Sequence, residues 1–98
     1  MEIVEIRGAK IINDSYNANP ASMGVALEAL AVSKTTGKRI AVLGDMLELG
    51  KRSAELHLEV GKRIPELKID LLITVGGQAE YIARGAVQNG MPASAIRS

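Results

Sequence analysis

Two short polar stretches carry most of the residues whose types could do chemistry. The first, Asp14-Ser15-Tyr16-Asn17-Ala18-Asn19-Pro20, follows an apolar run ending at Ile11-Ile12. Asp14 offers a carboxylate that could accept hydrogen bonds from ribose hydroxyls or help to position a metal. Asp is equally a common loop-capping residue, and spacing alone leaves both readings open. Tyr16 is one of only two aromatic residues, with Tyr81, and its place in the loop favours ligand contact over partial burial. Asn17 and Asn19 could also touch a ligand, although Asn19 has a sufficient structural task. Standing before Pro20, it suits the N-cap of a helix whose first position accepts a proline without losing a hydrogen bond. The second stretch, Gly44-Asp45-Met46-Leu47-Glu48-Leu49-Gly50, brings Asp45 and Glu48. Two carboxylates near a cleft suit acid–base or metal work, but their spacing matches no metal motif. Gly44 and Gly50 more simply permit tight backbone turns.

Other candidates are weaker. His57 is the single histidine and falls inside a helical pattern, where a packed or surface role outweighs ligation. Lys34-Thr35-Thr36-Gly37-Lys38 has the flavour of a phosphate loop but lacks its residue order and precedes a strand, not a helix. Gly76-Gly77 is a fragment of a dinucleotide fingerprint and a weak signal. No Ser–His–Asp arrangement is visible, and nothing reads as a self-sufficient catalytic centre.

The elements around these stretches follow from hydrophobic periodicity. Residues 2–6 and 9–13 form a short hairpin about Arg7-Gly8, the first strand at a sheet edge because it carries charge. Met23, Ala26, Leu27, Leu30 and Ala31 recur at helical spacing and predict a helix over 21–32. Arg39–Gly44 and Asp70–Gly76 are continuous apolar runs ending in Gly, the pattern of buried parallel strands. Between them a helix runs from Ser53, its N-cap, to Ile64, with Leu56, Val60 and Ile64 on one face and Pro65 ending it. A last helix, 78–89, buries Ala79, Ile82, Ala83, Ala86 and Val87 and stops at Gly90. Alternating strands and helices with short connections predict right-handed crossovers and a mostly parallel sheet covered on both faces, a three-layer α/β sandwich. Both polar stretches then lie beyond the carboxyl ends of strands, where open α/β sheets bind ligands.

Composition bounds the function. The chain has 98 residues, 47% apolar and 23% charged, enough for one small domain or part of one. A net charge of +1 and two aromatics recommend neither nucleic acid nor a membrane surface as partner. The absence of cysteine excludes disulfides, thiolate metal sites and thiol catalysis. No apolar run approaches 18 residues, and the cytoplasm is the expected compartment. The chain opens directly into a strand and stops at Ile96-Arg97-Ser98, where another strand should begin, so it reads as a segment of something longer.

Asp14-Ser15-Tyr16-Asn17-Ala18-Asn19-Pro20 together with Val42-Leu43-Gly44-Asp45-Met46-Leu47-Glu48-Leu49-Gly50 resembles the C-terminal domain of the Mur ligases, in the branch that adds D-alanyl-D-alanine. His57 with Val60-Gly61, and Leu72-Ile73-Thr74-Val75-Gly76, extend the resemblance over nearly the whole chain. It implies a Rossmann-like, incomplete C-terminal domain over residues 1–98, without the N-terminal and central ATPase domains. The implied reaction joins D-alanyl-D-alanine to UDP-N-acetylmuramoyl-tripeptide in peptidoglycan synthesis, through an acyl phosphate made with ATP. ATP and Mg2+ would be held mainly by the central domain, with this domain closing over the nucleotide and the dipeptide. By the same resemblance Asp14 contacts the nucleotide ribose, Tyr16, Asn17 and Asn19 stand close to the nucleotide, and Gly44, Asp45 and Glu48 face the interdomain cleft. No metal ligand or catalytic residue is expected in this segment, which alone should be inactive. The competing expectations are another Mur ligase, an amide ligase like folylpolyglutamate synthase, or a stand-alone nucleotide-binding module.

Overall fold

A computed structural model describes residues 2–15 and 19–98 of the chain. The first two strands, β1 (Glu2–Ile6) and β2 (Ala9–Asp14), form an antiparallel hairpin. Its two-residue turn has both φ angles positive, +50° at Arg7 and +85° at Gly8. That geometry matches the right-handed twist of the flanking strands and normally calls for Asn or Gly at both positions.

From β2 the chain alternates. Helix α1 (Pro20–Val32) leads to β3 (Arg39–Gly44), a 3-10 turn (Gly50–Arg52) and α2 (Ser53–Glu66). There follow β4 (Leu71–Val75), α3 (Glu80–Gln88), a second 3-10 turn (Ala93–Ala95) and β5 (Ile96–Arg97). The strands lie in one sheet in the order β1-β2-β3-β4-β5, parallel from β2 onward. The expected mostly parallel α/β sheet is therefore present, with its charged first strand at the edge.

Its layering differs from the sequence-based expectation of cover on both faces. Right-handed crossovers between strands taken in sequence order all return over the same side of the sheet. Ile12, Ala41, Leu43 and Leu72 point to that side and are fully buried against Met23, Leu27 and Leu30 of α1, Ile64 of α2 and Ile82 of α3, in one apolar cluster. The alternate residues Ile11, Ile40, Val42, Leu71 and Ile73 point away and are only half-buried, and Val75 is exposed. Among the described residues, then, the helices form a single layer on the sheet.

Helix ends explain the boundaries. Asn19 caps α1: its side-chain oxygen accepts from the Ser22 N–H (2.9 Å) while the Ser22 hydroxyl oxygen accepts from the Asn19 N–H (3.2 Å), a reciprocal box at the positions a Ser or Thr and a Glu usually fill. At α2 the predicted stop at Pro65 and N-cap at Ser53 are both displaced. Pro65 sits inside the last turn, and Arg52 is the N-cap. The helix closes only after Glu66, where Lys68 adopts φ +57°. There the Ile69 and Lys68 N–H groups donate to the carbonyls of Ile64 (3.3 Å) and Pro65 (3.1 Å). This is the paired-bond ending that normally carries a Gly at the left-handed position. The same ending closes α3 at Gly90, as expected, with the Met91 N–H on the Ala86 carbonyl (3.0 Å).

Helices α2 and α3 pack with almost no gap. A Cβ on Gly61 would stand 2.9 Å from the Ala86 nitrogen and closer still to the Ile82 carbonyl oxygen. A Cβ on Gly85 would run into the Leu58 carbonyl in the same way. Each helix thus lays backbone against backbone at a glycine of the other.

Candidate functional site

The carboxyl ends of β2, β3 and β4 stand side by side, with Asp14 paired to Leu43 and Leu43 to Thr74 in register. Asp14 points to the helix side of the sheet and is only 9% exposed. Its Oδ2 is fully enclosed and has no hydrogen-bond partner among the described residues. Burying a carboxylate oxygen is costly unless a donor reaches it.

Tyr16 and Asn17, the other residues expected near a ligand, lie outside the described residues. Asn19 is exposed, and its side chain is engaged in capping α1. Asn13 belongs to the same edge: its Oδ1 accepts from both the backbone N–H (3.2 Å) and the hydroxyl (2.8 Å) of Ser15, fixing the first step of the loop.

The second loop starts against the first. A Cβ on Gly44 would collide with the Ser15 carbonyl, so β3 meets the residue after Asp14 without room for a side chain. Asp45 is half-buried and engaged within the chain. Its Oδ1 accepts from the Ala79 N–H (2.7 Å), and its carboxylate packs on Gly76. It thus caps the start of α3, where Ala79 has no capping side chain of its own. Glu48 is exposed and takes φ +61°, a left-handed conformation that costs a non-glycine residue of order 1 kcal/mol or more.

His57 is fully buried and joins this edge from α2. The Met46 N–H donates to its Nε2 (3.0 Å), so that nitrogen carries no proton and Nδ1 carries the one that goes to the Ser53 carbonyl (2.6 Å). The Ser53 hydroxyl in turn donates to Gln78 Oε1 (2.8 Å). The chain of bonds ties the 44–50 loop, the start of α2 and the loop before α3. The bond between Ser53 and Gln78 carries no local signal in the sequence, because the two are distant along the chain. Further out, the Glu55 carboxylate hydrogen-bonds the Arg52 guanidinium (3.2 Å) and raises its pKa, an exposed pair with little bearing on stability.

Beyond β4 a cleft of about 630 Å³ is lined by Thr74, Val75, Gly76, Gly77, Glu80 and Ser98. It lies on the same edge as Asp14. A separate apolar groove of about 440 Å³ between α3 and β5, lined by Ala83, Val87 and Ile96, has only Arg84 and Gln88 as polar neighbours. Among the described residues no group of three His, Cys, Asp or Glu side chains could hold a metal ion.

Comparison with known proteins places this arrangement. A family described as "Mur ligase, glutamate ligase domain" matches residues 1–98. The UDP-N-acetylmuramoyl-tripeptide--D-alanyl-D-alanine ligase of Bacillus subtilis is 44% identical over 82 residues, which is 84% of this chain and 18% of that protein. The enzyme of the same name from Escherichia coli is 41% identical over 73 residues, 74% of this chain and 16% of its own length. The crystal structure of MurF from Acinetobacter baumannii superposes with a TM-score of 0.75 at 30% identity, over 98% of this chain and 20% of that one. The chain thus spans less than a fifth of the length of these two ligases. By sequence and by fold, it belongs to the Mur ligase, glutamate ligase domain family.

Proposed function

We propose that this chain is the closing domain of an ATP-dependent ligase that joins D-alanyl-D-alanine to UDP-N-acetylmuramoyl-tripeptide in peptidoglycan synthesis. The observation that carries the reading is Asp14: a buried carboxylate at the carboxyl edge of the sheet, one oxygen of which has no partner among the described residues, in a chain whose relatives bear that ligase's name. A ribose hydroxyl is a donor of the right kind for a carboxylate, and the edge of the sheet is where an open α/β fold receives a nucleotide.

The nucleotide, when bound, supplies the phosphoryl group that turns the tripeptide carboxylate into an acyl phosphate. The amine of the dipeptide then attacks the acyl carbon, and phosphate leaves from the tetrahedral intermediate. An acyl phosphate is lost to water, so the reaction gains from a site closed against solvent. This chain's share is that closure. Asp14 binds the ribose, with Tyr16, Asn17 and Asn19 beside the nucleotide and the loop of Gly44, Asp45 and Glu48 facing the cleft between domains. A lid that takes part of its contacts from the nucleotide closes only when the nucleotide is present. The described residues provide no cluster for Mg2+, so no metal step is assigned to them; a central ATPase domain would hold the metal and most of the ATP. The chain alone is inactive on this reading, and the ligase works in the cytoplasm.

The test is Asp14→Ala in the full-length ligase. The expected result is a KM for ATP raised about tenfold or more, as for loss of a hydrogen bond to a charged group, with the KM for the dipeptide little changed. An unchanged KM for ATP removes the ribose role.

A further inference from the structure

His57 fills a position where a leucine would serve packing alone. Its neighbours along the buried face of α2 are Val60, Gly61 and Ile64, and a buried imidazole is tolerated only when both nitrogens find partners. Both do, and they divide the work. Nδ1–H returns to the carbonyl of Ser53 in its own helix, whereas Nε2 reaches out of the helix to the backbone of the 44–50 loop at Met46. That loop holds a strained residue on its path, the left-handed Glu48 (φ +61°), two positions before Gly50, which takes a positive φ (+64°) without strain. Backbone in such conformations persists only where its surroundings over-determine it. Two points fix the loop before Glu48: the Asp45 carboxylate on the Ala79 N–H, and the Met46 N–H on His57. The loop begins at Gly44, against the Ser15 backbone, so a shift in its path reaches the residue next to Asp14.

We infer that His57 is a positioning residue of the ligase: by accepting the Met46 amide proton it sets the path of the 44–50 loop on which closure over the nucleotide depends. The inference rests on the ligase reading above. It assigns the histidine no contact with substrate and no proton transfer.

The test compares three substitutions in the full-length ligase. His57→Gln can offer an oxygen to the Met46 amide and an N–H to the Ser53 carbonyl. His57→Asn keeps the polarity but is too short to reach the loop, and His57→Leu fills the space with no acceptor. Phosphate release with ATP, UDP-N-acetylmuramoyl-tripeptide and D-alanyl-D-alanine gives kcat and KM. Hydrogen–deuterium exchange of the 44–50 segment reports the loop directly, and the melting temperature reports the fold. The Asn and Leu variants are expected to speed exchange in the segment and lower kcat at least tenfold, and Gln to restore both to within about threefold. Because Asn and Gln are both polar, a Leu variant too unstable to assay leaves the comparison intact. The inference is overturned if Asn and Gln have the same kcat, or if exchange at 44–50 is unchanged in the Asn variant. If the wild-type protein makes no product with this dipeptide, the ligase reading fails. The exchange comparison then still decides whether His57 holds the loop.

Discussion

Gly61→Ala should destabilise the fold although alanine is the better helix former. Gly61 lies inside α2, and exchanging an interior glycine for alanine gains about 1 kcal/mol of helix propensity. Against that, the new Cβ would meet backbone atoms of α3, the Ala86 nitrogen at 2.9 Å and the Ile82 carbonyl closer still. Ordinary contact begins near 3.4 Å, and no rotamer change can move a carbonyl, so the helices must part. Overpacking a tight core costs about 1–3 kcal/mol. A backbone-on-backbone clash belongs at the upper end, leaving a net loss of roughly 2 kcal/mol. For a domain of this size that is a fall in Tm of about 8–16 °C. Urea unfolding followed by circular dichroism should show a lower midpoint at unchanged slope. Gly24→Ala is the internal control. Gly24 is also helical, but its Cβ would meet only the tip of the Arg63 side chain, at 3.3 Å, so propensity should win and the midpoint should rise. A Gly61→Ala protein as stable as the parent would refute the close packing of α2 on α3.

Other substitutions test single bonds. Asp45→Ala should cost about 1–2 kcal/mol by uncapping the Ala79 N–H, with faster amide exchange at the start of α3; no change there would mean that the carboxylate is free for chemistry after all. Asn19→Ala should lower stability by about 1 kcal/mol through loss of the bond from Ser22, read as a drop in denaturation midpoint. Lys68→Gly should do the reverse. It relieves a left-handed lysine at the end of α2 and should raise the midpoint by up to about 1 kcal/mol.

What the sequence discloses is what local physics decides. The strands ending at Gly44 and Val75, the cap at Asn19 and the stop at Gly90 were all legible, because periodicity and capping act within a few residues. The errors come from distance. Ser53 has the right type for an N-cap, yet its hydroxyl serves Gln78 and the helix start is set by a 3-10 turn before it. Pro65 breaks no bond that the last turn of α2 cannot spare, so the helix runs past it. The bond from the Ala79 N–H to Asp45 joins residues 34 apart and has no local signal either. The order of strands is likewise beyond local pattern, and with it the side on which the helices lie. Of the candidate site, the place of Asp14 at the end of a strand was legible in the sequence, but its burial was not, and the network through His57 needed three separate segments to meet.

The consecutive order of the strands also bears on how the chain is made. Each strand pairs with the one synthesised just before it, from β1 through β5, so an emerging strand always finds its neighbour already displayed. None of the described strands is inserted between two that are already joined. At 5–20 residues per second, the roughly 30 residues from one parallel strand to the next take about 2–6 s to emerge, far longer than a helix or a loop closure needs to form. Folding can therefore keep pace with the ribosome, one strand and one helix at a time. Among the described strands, the sheet backbone left unpaired as the polypeptide lengthens is the outer side of β1 and the growing edge.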